Sequence, residues 1–168
     1  MLDRNLTTVI QRQPLHAFGL ALLHQPQEVV PAERNLITES FERWDVDGVE
    51  LDFMRHPGFF RIDEAYANRY LMTDLVERVR IRMRELAAER GRELTLIVRV
   101  PPTIADSTRT GIDVVEWMND DLVDIVVAGG GFIPFETPVH EFVEAARSTH
   151  CLVYGCIEAT RQIDDRTL

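Results

Sequence analysis

Cysteine is scarce in this chain: Cys151 and Cys156 are the two among 168 residues. They sit five apart in one predicted strand and project to opposite faces, so they cannot easily bridge. A disulfide framework is excluded, and so is a metal site built from cysteine alone. Both read as small buried hydrophobes. Positive charge is also short, with 18 Lys and Arg against 28 Asp and Glu and a net charge of -10. That argues against non-specific binding to nucleic acid or to an anionic membrane, both of which need a basic patch. Long apolar runs are absent, and nothing approaches the roughly 20 residues of a membrane span. Residues 1–13 carry Asp3, Arg4 and Arg12 and lack the apolar segment of a signal peptide. No GxGxxG or GxxxxGK[ST] follows a strand, and Gly129 to Gly131 is a bare triple glycine without Lys. No GxSxG elbow is present. His16, His24, His140 and His150 lack metal-ligand spacing and read as surface or packing residues. No motif calls for a cofactor or a metal.

What remains is ordinary for a soluble globular protein, with 45% hydrophobic and 27% charged residues. The hydrophobic pattern predicts a helix over 32–43, a strand over 48–54, a loop over 55–66 and a long amphipathic helix over 68–90. The inner stripe of that long helix is Leu71, Leu75, Val79, Met83 and Leu86, and Gly91 stops it. A strand over 94–100 ends at Pro101-Pro102, and the polar stretch 103–110 reads as a loop. A helix over 111–119, a strand over 122–128, a helix over 138–148 and a strand over 151–157 follow. Helices alternate with short β-branched strands, which indicates right-handed βαβ units and a parallel sheet covered by helices.

Residue types that carry chemistry gather where the predicted strands end. They are Arg55-His56-Pro57 with Phe59 and Phe60, Pro101-Pro102-Thr103, Gly129-Gly130-Gly131-Phe132, and Glu158-Ala159-Thr160-Arg161. Open α/β sheets and barrels both bind ligands at that end. In the strand 48–54, alternation sends Val49, Leu51 and Phe53 to one face and Glu50 and Asp52 to the other. The two carboxylates stand roughly 6.6–7 Å apart at Cα by strand rise. Thr95, Ile97 and Arg99 share a face of the next strand, and Tyr154, Cys156 and Glu158 share one of the last. If these faces all point inward, Asp52, Arg99 and Glu158 meet at the top, with Glu50 one layer lower and Arg55 and His56 capping the first strand. Two carboxylates flanking a cleft are what glycoside hydrolysis needs, and Phe59, Phe60, Phe132 and Phe135 could stack on sugar rings. A bland reading stands beside this one: a structural ion network of Glu50, Asp52 and Arg99, with the phenylalanines packing loops. A phosphate-ligand barrel using Gly129 to Gly131 is a third.

The string Asp47-Gly-Val-Glu-Leu-Asp-Phe-Met-Arg-His-Pro57 resembles the D-G-[IV]-x-L-D-[FY]-x-R-x-P motif of glycosyl-hydrolase-like TIM barrels. The preceding Phe41-Glu-Arg-Trp-Asp-Val46 looks like the same family, and His24-Gln-Pro-Gln-Glu-Val29 stands near its Ala-His-Pro-x-Val pattern. The resemblance implies a TIM-barrel fold and a hydrolase acting on an oligo- or polysaccharide. It implies that Asp52 is a catalytic carboxylate, and Glu158 suits the second role. Glu50, Arg55, His56, Arg99, Tyr154 and Phe132 are the expected substrate-binding residues. The alternative is a non-catalytic carbohydrate-binding or scaffold domain.

A whole (β/α)₈ barrel takes about 250 residues, and this sequence has room for four or five strands. The expected architecture is therefore α/β, a partial TIM barrel or half-barrel: one (β/α) domain over 1–168, incomplete at both ends. A homodimer is expected if two halves close one barrel. A true start at Met1 implies the cytoplasm, whereas a fragment of a longer family member implies a secreted or lipid-anchored protein.

Overall fold

The computed structural model describes residues 39–41, 44–54, 58–129 and 138–156. Strand β1 (Gly48–Asp52) is followed by helix α1 (Ile62–Arg90), β2 (Thr95–Val100) and two short helices, α2 (Ile104–Arg109) and α3 (Val114–Asn119). Then come β3 (Ile125–Ala128), α4 (His140–Ala146) and β4 (Leu152–Gly155). The strands form one sheet in the order β1-β2-β3-β4, and every neighbouring pair is parallel. The sheet does not close into a barrel.

Strand order and burial together fix where the helices lie. Right-handed crossovers that always step the same way put their helices on one face. No reversal of order occurs, so these strands contain no switch point of the doubly wound kind. Val49, Leu96, Val98, Val100, Val126 and Ala128 are buried in one continuous core. That core also holds Met72, Val76 and Met83 of α1, Trp117 and Met118 of α3, and Phe142 of α4. Each buried Val, Leu, Met or Phe side chain among them contributes about 1.5–3 kcal/mol by leaving water. The opposite face carries Glu50, Asp52, Ile97, Arg99, Ile125 and Val127, all half-buried, and Leu152 and Tyr154, both exposed. The two faces are therefore chemically unlike.

Local chemistry accounts for the boundaries. Helix α1 starts at Ile62, inside the stretch expected to be a loop. Asp63 and Glu64 occupy its first turn, where they favour the helix dipole. Its outward residues Ile62, Tyr66 and Tyr70 are exposed, and that hid its first two turns from a search for an amphipathic stripe. Gly91 ends it with φ 66° and donates its N–H to Ala87 O. The polar stretch 103–110 is also a helix rather than a loop. Thr103 Oγ1 accepts from the Asp106 N–H at 2.9 Å and donates to Asp106 Oδ2 at 2.7 Å. This is a capping arrangement with Asp in place of Glu. Strand β3 starts at Ile125 instead of residue 122, because the chain turns at Asp121 (φ 56°) and Arg80 takes the Leu122 carbonyl. Gly111 has φ 87°, and a Cβ there would come within 2.6 Å of the Phe60 ring. Only glycine lets that loop pass.

Candidate functional site

The parallel register sets Asp52 beside Arg99, Arg99 beside Val127, and Val127 beside Tyr154. This row crosses the open face at the C-terminal ends of the strands. The row below it is Glu50, Ile97, Ile125 and Leu152. Strand alternation places the two carboxylates on one face, as the sequence indicates, and β2 supplies the cation between them.

Arg99 is shared. Its Nη2 donates to Asp52 Oδ2, and its Nε lies 3.5 Å from Glu50 Oε1. The Nε contact is one of charge, since among the described residues Nε has no hydrogen-bond partner. The other Asp52 oxygen accepts the Met54 N–H at 2.8 Å. Asp52 thus has a donor on each oxygen, while among the described residues Glu50 has the long Arg99 contact. Burial pushes the Glu50 carboxyl above its ordinary value of 4.5; Arg99 pulls it down and Asp52 pushes it up. Burial works against the Arg99 charge, but Asp52, Glu50 and a contact with the Cys156 thiol together raise its proton affinity above the ordinary value. The three charged side chains remain about a quarter exposed, at 23% for Asp52, 26% for Glu50 and 29% for Arg99. They form a solvent-facing cluster in which the two carboxylates have different partners.

Other expected site residues fare differently. Tyr154 lies in the Asp52–Arg99 row but two strands from Arg99, with its side chain exposed. Arg55, His56, Phe132, Phe135 and Glu158 lie outside the described residues. Phe59 is not a sugar platform. It is buried, meeting Phe53 edge-on at 5.8 Å, and Phe53 in turn packs on Trp117 at 5.6 Å. Phe60 packs against the same core. A Pro- and Gly-rich loop suggests a rim, but its Phe59 and Phe60 turn into the core, Phe60 beside Gly111. Cys156, expected to be a small buried hydrophobe, is only half-buried and sits against Arg99. Its place on the face of Tyr154 and Glu158 was the available signal. Cys151, on the other face, is buried, and burial pushes its thiol up to about 11.

Among the described residues no group of three or more His, Cys, Asp or Glu is placed to hold a metal ion. No described helix is long and apolar enough to cross a membrane. No protein-family model matches this chain, and no curated protein matches it either.

Proposed function

We propose that this chain belongs to a glycoside hydrolase that cleaves an oligo- or polysaccharide at the C-terminal rim of its sheet. The supporting observation is the cluster of Asp52, Glu50 and Arg99 on the open face, at the strand ends where parallel α/β folds keep their sites. The resemblance of residues 47–57 to a glycosyl-hydrolase-like motif points the same way. In this reading Asp52 is one catalytic carboxylate and Glu158, three residues beyond the end of β4, is the other. One carboxylic acid gives its proton to the glycosidic oxygen as the bond to the anomeric carbon breaks. Water then delivers hydroxide to that carbon and returns a proton to the carboxylates. Arg99 and Arg55 position the pair, Glu50 orients Arg99, and His56, Tyr154 and Phe132 contact the sugar.

Asp52→Asn is the test. With the fold intact by circular dichroism, turnover on a responsive glycan should fall at least about a hundredfold, the loss expected for a general acid or base. Activity within about threefold of the parent would sink the assignment. A second reading has its own support, because both Asp52 oxygens are already satisfied within the chain. The chain would then be a non-catalytic carbohydrate-binding or scaffold domain with a structural ion network. In that case Asp52→Asn changes stability and leaves glycan affinity alone.

A further inference from the structure

We propose that the open face of the sheet receives a second copy of this chain, two four-stranded sheets joining edge to edge into one eight-stranded parallel barrel. The inference goes beyond the hydrolase reading and does not depend on it.

The edges carry the first part of the argument. Among the described residues β1 and β4 have a neighbour on one side only. Asp47 O and the Phe53 N–H bond to β2, so the odd-numbered residues of β1 face β2. Alternation turns the backbone groups of Gly48, Glu50 and Asp52 outward. The N–H groups of Leu152 and Cys156 bond to Asp124 O and Ala128 O, so β4 turns Val153 and Gly155 outward. These two edges run in the same direction and have four or five residues each. A two-fold axis along a barrel pairs β4 of each copy with β1 of the other, satisfying both edges at once. An added peptide strand would satisfy only one.

The face carries the second part. Eight parallel strands make a barrel whose interior side chains just fill it, and four strands with their helices on one side are half of that. The open face has a charged half on β1 and β2 and an apolar half of Ile125, Val127, Leu152 and Tyr154 on β3 and β4. Leu152 and Tyr154 are 56% and 51% exposed, and large apolar side chains grouped on a sheet face mark a contact surface. The two-fold sets the apolar half of one copy beside the charged half of the other.

Sedimentation equilibrium on the whole chain, between about 1 and 100 µM, tests this because dimers follow mass action. The expected species has twice the chain mass of 19.3 kDa. Leu152→Glu should weaken association at least about a hundredfold, since it buries a charge inside the barrel. Should that variant fail to fold, Leu152→Ala, checked by far-ultraviolet circular dichroism, should weaken it about tenfold. Tyr66→Glu, on the outward side of α1, should leave the mass unchanged. A monomer, an open-ended polymer, or a dimer broken by Tyr66→Glu but not by Leu152→Glu would each overturn the proposal.

Discussion

The sheet has an arginine–carboxylate cluster at each end, and the two are built differently. At the N-terminal end Arg80 is buried under the sheet, with its side chain 7% exposed. Its Nε donates to Leu122 O at 2.7 Å, its Nη2 meets Asp124 Oδ2 at 2.8 Å, and that oxygen accepts the Leu96 N–H at 2.6 Å. One side chain thus ties α1 to the starts of β2 and β3. At the C-terminal end, among the described residues, Arg99 meets the side chains of Asp52, Glu50 and Cys156, and it is partly open to solvent. The first cluster spends its charge on backbone groups that must be satisfied inside a fold. The second leaves its carboxylates reachable. The same residue types hold a fold together when they bond backbone, and they are available for chemistry when they bond each other on an open face.

Stability measurements sharpen that contrast most. Arg80→Leu should cost about 3 kcal/mol, because it leaves Asp124 and the Leu122 carbonyl without their partner. Arg99→Leu should cost about 1 kcal/mol, since solvent reaches the carboxylates left behind. Urea titration at neutral pH reads both, and equal losses would erase the distinction between the ends. A thiol comparison is the next largest effect. Cys156, half-buried on the open face, should react with iodoacetamide at about pH 8 roughly tenfold faster than Cys151, which burial keeps as a thiol. Peptide mass mapping over time would show it, and faster labelling of Cys151 would contradict the assignment of faces.

The smallest effect is electrostatic. Burial, with Asp52 adding and Arg99 subtracting, raises the Glu50 carboxyl above 4.5. The folded chain therefore keeps that proton to a higher pH than the unfolded chain, and the stability Glu50 contributes falls as pH rises through the window above 4.5. Glu50→Gln removes the titration. Its stability relative to the parent should climb from about pH 4 to pH 7, as read from thermal midpoints across that range. A relative stability that stays level or falls would show that Arg99, and not burial, dominates at Glu50.

The alternation of Val49, Leu51 and Phe53 against Glu50 and Asp52 was enough to place both carboxylates on one face, because strand period is a local property. The switch from strand to helix period was enough to give parallel α/β architecture and the long helix ending at Gly91. The capping pair Thr103 and Asp106 was also legible, but the apolar residues between them are too few to draw notice. Three features were decided only in three dimensions. Phe59 went into the core, where Phe53, itself packed on Trp117, meets it edge-on. Arg99 became shared by Glu50 and Asp52 because the register of β1 on β2 is a pairing between distant segments. Arg80 and Arg99, indistinguishable as residues in amphipathic or alternating patterns, took opposite roles because one points between layers and the other away from them. A sequence fixes which side of its own element a residue lies on; what stands opposite that side depends on contacts between segments, and only the packed structure holds those.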